Sequence, residues 1–332
     1  METTFQDQLT SVIRQIKIQE NGLGELALDI AETPYSATNQ TLPNVLMHGI
    51  YRHFYIEQED VQIQEELFDK KDDGQQATAD FQKRLAAANS NIEHFDKGWV
   101  VETTDLRGTL YASKGNFRRQ VYAGEFLYSN YKKGNAYQGD RIELLARKDY
   151  DDQQGAFYYV FGRTLGNENH SQQVRIYFHL QPEGSIELIK ALSILDKYAI
   201  PFTFKCLNNP ALYVRADSAV LYLDKQFANF FFRLMPDIDA KINHCLLPKI
   251  PRFTRLLKRG IAFAESPPNP TESFGTSRSQ LIAQGIVTAF QQKQPIENWE
   301  QAVLSNFKRI NISENAPYLN PGSQYPYQFP TL

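Results

Sequence analysis

The sequence predicts an α+β fold, with a helical N-terminal part followed by a mixed β-sheet body with flanking helices. Apolar residues recur at helical spacing near the N-terminus. From Gly98 onwards, short β-branched and aromatic runs alternate with Gly, Asn and Asp, as strands and turns do. The chain has 332 residues, enough for a substantial core, and its 22 Phe and 18 Tyr suit a sheet-rich interior.

Residues 1–97 are predicted to be a helical N-terminal region. The first segment reads as an amphipathic helix, because its apolar residues share one face: Phe5, Leu9, Val12, Ile13 and Ile16. This segment has no basic stretch followed by an apolar one, so we expect no secretory signal peptide. Residues 98–332 are predicted to form one compact α+β domain.

The body is predicted to contain a crossover unit. The run "QVRIYFHL" reads as a strand, "PEGSIELIKALSILDKYAI" as an amphipathic helix and "FTFKCL" as a second strand. We expect further strands at "AVLYLDK" and "GIAFAESP", and helices through "QFANFFFRLMPDIDAKIN", "SRSQLIAQGIVTAFQQ" and "IENWEQAVLSNFKR". The order of the strands in the sheet does not follow from the sequence.

Composition excludes several classes of partner. The formal net charge of −3 gives no bulk attraction to nucleic acid or anionic lipid, and no apolar run approaches the roughly 20 residues of a membrane span. Cys206 and Cys245 form no CxxC pair, which argues against a disulfide framework and favours a reducing, cytoplasmic setting. Metal-ligand spacing, phosphate-binding loops and dinucleotide-binding motifs are absent, so we expect no metal and no cofactor.

Alternation along the strands predicts a polar face of the sheet. Side chains two residues apart on a strand point to the same side. If the strands are neighbours in register and "YVRAD" is extended, their donor groups converge on one side, which suits a phosphate or a carboxylate. The residues expected to converge are Arg175, Tyr177, His179, Lys205, Tyr213, Arg215 and Asp217.

Two structural explanations of this pattern stay open. A half-exposed strand shows the same alternation, so the charged side chains could lie on the solvated face of the sheet. Alternatively, Lys205, Arg215 and Asp217 could form a buried ion network that fixes the strands. A second candidate for anion binding is the turn "ESFGTS" before Arg278, where backbone N–H groups at a helix start attract anions, although an ordinary N-cap explains it equally.

Four motifs in order resemble the bacterial HopA-type family, named after a type III secretion effector of plant pathogens. They are "RIYFHLQPEGSIELI", "IPFTFKCLNNPALYVRADSAVLY", "ESFGTSRSQLIAQGI" and "PYLNPGS", and the resemblance runs from residue 98 to the tail. Similar domains accompany kinase-like proteins in the biosynthesis of lanthipeptides and thioamide peptides. There they look like lyases that eliminate phosphate from phosphoserine or phosphothreonine and leave a dehydroamino acid. The resemblance implies a peptide or protein substrate, a partner kinase and, for an effector, secretion without a signal peptide.

The implied elimination needs a base, an acid and cations that hold phosphate. Lys205 is the candidate base; it would have to be neutral, which repulsion from nearby arginines favours. The other candidate roles are His179 or Tyr213 as the acid, Arg175, Arg215 and Arg278 as phosphate ligands, and Asp217 and Tyr177 as orienting groups.

The competing hypothesis is a non-catalytic, effector-like module that binds a phosphorylated peptide or another protein. Lys205→Arg distinguishes the two hypotheses, because arginine keeps the positive charge but cannot give up its proton at neutral pH. A binding module tolerates this substitution, whereas a lyase does not.

Overall fold

The computed structural model describes residues 4–21, 24–56, 73–131, 134–151, 155–167 and 172–331. These residues form α-helices around three β-sheets, which confirms the predicted α+β class. Across these ranges, we find no helix that is both long and apolar enough to span a lipid bilayer.

The N-terminal part combines helices with a small sheet. Helix α1 begins after Thr4, because the Thr4 hydroxyl and the Asp7 carboxylate accept hydrogen bonds from each other's backbone N–H groups. Three antiparallel strands follow, which the sequence analysis did not predict in this helical region. The bounds are α1 Phe5–Ile13, β1 Ile16–Glu20, β2 Glu25–Ile30, β3 Thr33–Thr38, α2 Leu42–Ile50, a π-helical turn Tyr51–Tyr55 and α3 Asp73–Ala88.

A five-stranded antiparallel sheet follows, and it has a small core of its own around Trp99. The Trp99 indole donates to Asp96, which also accepts a hydrogen bond from Lys114. The strand order is β6-β5-β4-β8-β7, so β6 lies at one edge. The bounds are β4 His94–Thr104, β5 Leu110–Lys114, β6 Phe117–Val121, β7 Phe126–Tyr128 and β8 Arg141–Ala146. The division of the chain into domains at residue 97 stays a prediction.

A seven-stranded antiparallel sheet forms the centre of the body, in the order β14-β15-β11-β13-β12-β10-β9. Because β13 pairs antiparallel with both β11 and β12, these two strands run parallel to each other, and α4 connects them as the predicted crossover. The strands are β9 Asp149–Asp151, β10 Phe157–Phe161, β11 Gln173–Phe178, β12 Phe202–Leu207, β13 Ala219–Asp224, β14 Arg255–Lys258 and β15 Ile261–Glu265. The helices are α4 Pro182–Lys197, α5 Ala228–Ile242, α6 Phe274–Gln291 and α7 Trp299–Arg309.

The two faces of the seven-stranded sheet have different neighbours. One face is apolar, with Ile176 and Phe204 packed in the same core as α4 and α5. The opposite face carries Tyr177, which packs with Tyr55 of the N-terminal part and Phe274 of α6. The predicted polar face is therefore covered by protein along β11, and the explanation that it is simply the solvated face does not hold.

Candidate functional site

Strand register places Arg175 and Lys205 on the same face of the seven-stranded sheet. Arg175 of β11 lies opposite Tyr222 of β13. Two residues further along β13, Val220 lies opposite both Tyr177 and Lys205. Strand β13 thus lies between β11 and β12, so these two strands are not direct neighbours. Arg175 and Lys205 nevertheless share one face of the sheet, as expected.

Aromatic rings separate the three cations on this face. The centre of the Tyr222 ring lies 5.3 Å from Cζ of Arg175 and 5.7 Å from Nζ of Lys205. The centre of the Phe157 ring lies 4.2 Å from Nζ of Lys205 and 5.7 Å from Cζ of Arg215. Because ring faces attract cations, this arrangement tolerates three neighbouring positive charges. We call Arg175, Lys205 and Arg215, with Phe157 and Tyr222, the cationic face.

Asp217 fixes the orientation of Arg215. Nε and one terminal nitrogen of Arg215 donate to the two oxygens of Asp217 at 2.9 and 3.0 Å, and the side chains are only 12% and 10% exposed. A paired guanidinium and carboxylate have this two-point geometry, and the hydroxyl of Tyr51 lies close to the same guanidinium group.

Arg175 is held by neutral groups. Its Nε donates to the Ser266 hydroxyl at 2.9 Å, and a terminal nitrogen donates to the Glu272 carbonyl at 3.3 Å. Among the described residues, no carboxylate lies within salt-bridge distance of Arg175 or Lys205. The cationic face therefore has three positive charges and, in Asp217, a single paired carboxylate.

Lys205 keeps its proton in this environment. Burial lowers the pKa of Lys205, but Tyr222, Tyr159 and Asp217 outweigh burial, and the pKa lies above its ordinary value. Repulsion from the arginines therefore does not make Lys205 neutral, contrary to expectation. Lys205 is a cation that faces aromatic rings and hydroxyl groups.

The π-helical turn after α2 covers part of the cationic face. Its first and last rings, Tyr51 and Tyr55, stack with centres 5.3 Å apart. Burial raises the pKa of Tyr51, Asp217 raises it further, and Arg215 opposes the change, so the hydroxyl stays protonated. Single π-helical turns are frequent at functional sites because they redirect side chains within a helix.

The buried Tyr177 hydroxyl lies near Tyr55 and Arg175 but makes no hydrogen bond of good geometry to any residue that the structure describes. The residue is 3% exposed, and Tyr55 and Arg175 are close enough to influence its ionisation. Burial raises the pKa of Tyr177 and Arg175 opposes this effect. A buried hydroxyl without a well-formed hydrogen bond is costly.

His179 lies past the end of β11, away from the solvent. Its Nδ1 accepts a hydrogen bond from the backbone N–H of Lys249 at 3.1 Å, which places the proton of the neutral ring on Nε2. Burial, followed by repulsion from Lys249, lowers the pKa of His179 to about 4. The imidazole is therefore neutral at pH 7.

Tyr213 does not point toward the cationic face. The segment before it forms a 3-10 turn, Pro210–Leu212, and residues 213–217 continue as turns, so the condition that "YVRAD" is extended is not met. The Tyr213 hydroxyl is buried in the apolar core, within 2.9 Å of the Ser185 hydroxyl and 2.8 Å of the Leu207 carbonyl that accepts from it.

Arg278 binds the C-terminal tail. It is 1% exposed, and it donates to the carbonyl groups of Pro317 and Leu319 at 2.7 Å each. Burial lowers the pKa of Arg278 to about 10, against an opposing effect of Glu265. The side chain of Arg278 is thus engaged by the protein itself, and Ser273 supplies the ordinary N-cap of α6.

Glu265 binds the same tail from the other side. Its carboxylate accepts hydrogen bonds from the backbone N–H of Asn320 at 2.7 Å, the Ser323 hydroxyl at 2.6 Å and the Tyr327 hydroxyl at 2.7 Å. We call Glu265 and Arg278, with the tail groups that they bind, the tail clamp. It explains the motif "PYLNPGS" as a docking segment.

Three residues of the site were not predicted from the sequence: Tyr51, Phe157 and Tyr222. Alternation in "AVLYLDK" and "FYYVF" could have found Tyr222 and Phe157, since each lies on the same face as Lys205 once the register is known. Tyr51 carries no such signal, because its position over the sheet depends on a contact between distant parts of the chain. The described residues contain no group of three or more His, Cys, Asp or Glu side chains that could hold a metal ion.

Comparisons with known proteins point to one family. The profile of the HopA1 effector protein family matches residues 150–319, just over half of the chain. The effector protein from Pseudomonas syringae pv. tomato strain DC3000 is similar in structure, with 14% identity, 95% of this chain and 96% of that chain covered, and a TM-score of 0.46. The effector protein from Pseudomonas syringae pv. syringae strain 61 shows 15% identity, coverage of 85% and 95%, and a TM-score of 0.43. No curated protein matches the chain.

Proposed function

The chain belongs to the HopA1 effector protein family, and on this premise we propose that it is a phosphoserine and phosphothreonine lyase that acts on peptides. The family suggests a protein partner. The phosphorylated substrate, the kinase that supplies it and delivery by the type III route belong to the proposal.

The observation that carries the proposal is the excess of positive charge on the cationic face. Arg175 and Lys205 have no carboxylate partner among the described residues, and both are partly buried. Unpaired charge is costly to bury, so an uncompensated group of cations is expected to have an anionic ligand. A phosphate dianion matches the charge, and guanidinium groups bind it with two hydrogen bonds.

Elimination on this face proceeds by removal of the Cα proton to Lys205 in its neutral form. The electron pair of the Cα–H bond forms the Cα=Cβ bond, and the Cβ–O bond to phosphate breaks. The leaving phosphate oxygen takes a proton from the Tyr222 hydroxyl, which the protonated Lys205 then restores. Arg175 and Arg215 stabilise the negative charge on the departing phosphate.

This assignment shifts the role of the acid from His179 and Tyr213 to Tyr222. Tyr222 lies opposite Arg175 in the sheet and interacts with Lys205, so it adjoins both the phosphate ligands and the base. His179 instead orients the loop at Lys249 through a hydrogen bond, and Tyr213 packs in the apolar core.

The second candidate function is recognition of a phosphorylated peptide without chemistry. The raised pKa of Lys205 favours it, because a protonated lysine binds phosphate but cannot accept a proton. In this case the cationic face binds the phosphorylated peptide and forms a stable complex with it, without a reaction.

Mass spectrometry separates the two candidate functions. The purified protein is incubated with phosphoserine and phosphothreonine peptides, without added metal. A lyase removes about 98 Da as H₃PO₄, whereas hydrolysis by a contaminating phosphatase removes about 80 Da. Loss of the larger mass supports the lyase, and binding without any change of mass supports the recognition module instead.

A further inference from the structure

A cavity of about 640 Å³ adjoins the cationic face. Its floor is the same face of the seven-stranded sheet. Arg175, Tyr222, Thr203 and Phe161 lie opposite one another in adjacent strands, and the last three of them line the cavity. The cavity thus begins in the row of the sheet that contains Arg175 and extends away from Lys205.

The wall opposite this floor comes from the five-stranded sheet and contains both apolar and charged side chains. The residues that line this part of the cavity are Phe117, Arg119 and Val121 of β6, Leu144 of β8, Arg147, and Leu165 of the loop after β10. The volume lies in the range typical of ligand pockets, roughly 300–1,000 Å³, and the apolar part of the lining suits a hydrophobic side chain.

The carboxylates at the cavity already have partners. Glu125 accepts a hydrogen bond from the backbone N–H of Tyr122. Asp224 accepts hydrogen bonds from the backbone N–H of Gln226 and the side-chain amide of Asn167. These groups therefore do not require a cationic occupant.

The distance to the cationic face sets which part of a peptide reaches the cavity. Thr203 lies two residues from Lys205 along β12, which corresponds to about 7 Å. In an extended peptide, side chains two residues apart point in the same direction at about the same separation.

We propose that this cavity binds a large apolar side chain of the substrate peptide, two residues from the phosphorylated residue. The inference rests on the proposed function, since it assumes that the phosphate of a peptide lies on the cationic face. It adds the substrate class: phosphopeptides with a bulky hydrophobic residue at the second position from the phosphothreonine.

The test compares two phosphothreonine peptides on the wild-type protein. One peptide has Phe at both second positions from the phosphothreonine, and the other has Gly at both. Burial of the Phe side chain is expected to make the first peptide bind about tenfold more tightly, measured by calorimetry. Equal affinities for the two peptides overturn the inference and leave the proposed function intact.

Two variants test whether the preference for the Phe peptide arises at this cavity. Thr203→Phe fills the cavity next to the cationic face and is expected to abolish the preference for the Phe peptide. The matched control Ser305→Phe fills a separate cavity of about 630 Å³ beside α7. This variant is expected to retain the preference for the Phe peptide. A preference that survives Thr203→Phe contradicts the inference. Failure of the wild-type protein to bind either phosphopeptide rejects the proposed function, and the inference with it.

Discussion

The cationic face and the tail clamp are two buried or half-buried groups of charge, built from similar residues. In the tail clamp, the Glu265 carboxylate and the Arg278 guanidinium have hydrogen-bond partners from the tail. On the cationic face, Lys205 faces aromatic rings and hydroxyl groups, and no carboxylate of the described residues lies within salt-bridge distance of it. The comparison shows that the balance of charge and hydrogen bonds, rather than the presence of arginine, separates a structural cluster from a ligand site.

Lys205→Arg is expected to produce the largest effect. It keeps the positive charge but removes the base, so the rate of elimination should fall by roughly 10²- to 10⁴-fold, while affinity for the phosphopeptide changes little. The rate of phosphate release and the affinity are measured on the same preparation. Lys258→Arg, at a lysine paired with Asp239, is the matched control and should keep full activity. Undiminished elimination by Lys205→Arg excludes Lys205 as the base.

Glu265→Ala tests whether the tail clamp is a structural cluster. It removes the acceptor of three tail hydrogen bonds and leaves Arg278 without its neighbouring carboxylate, so the free energy of unfolding should fall by about 3–5 kcal/mol. Denaturation with urea measures the change. Glu297 is exposed, so Glu297→Ala should leave the free energy of unfolding almost unchanged. A loss as small as that of Glu297→Ala contradicts the account of the tail clamp.

The pH dependence of elimination sharpens the role of Lys205. Because its folded-state pKa lies above the ordinary value, only a small fraction of the lysine is neutral at pH 7. The rate should therefore rise about tenfold per pH unit from neutral to alkaline pH. A profile of kcat/KM measures the slope. A rate that is independent of pH in this range argues for a different base.

His179 should make the stability of the protein depend on acid. Its pKa is about 4 in the folded protein and about 6.5 when unfolded, so its neutral form stabilises the fold above pH 6.5. Stability is lost as pH falls from 6.5 toward 4, by up to about 1.4 kcal/mol per unit, because the unfolded chain binds the proton more tightly. His179→Asn keeps an acceptor for the Lys249 N–H and should flatten this dependence. An unchanged slope in that variant assigns the acid sensitivity to other groups.

Alternation in the sequence correctly placed Arg175, Tyr177 and Lys205 on one face, because the two-residue period of a strand is local. The error at Tyr213 was also local. The Asn-Pro pair in "NNPALYV" signals a turn, and this turn directs Tyr213 into the core.

Long-range features could not be read from one sequence. The insertion of β13 between β11 and β12 and the position of Tyr51 over the sheet depend on contacts between distant segments. The tail motif was recognised, but its partners Glu265 and Arg278 were not, since the hydrogen bonds join residues about 40 to 60 positions apart. The N-terminal sheet was missed because its strands are short and adjoin true helices.

Thermal unfolding with and without a phosphothreonine peptide tests most directly whether the cationic face is a phosphate site. A ligand that binds only the folded protein stabilises it, so the phosphopeptide should raise Tm by several degrees, and the unphosphorylated peptide should not. Lys205→Gln should lose this shift while its ligand-free Tm stays equal or rises, because one unpaired charge is removed. No difference between the two peptides, together with a sharp loss of stability in Lys205→Gln, would show instead that the cations serve only to hold the strands.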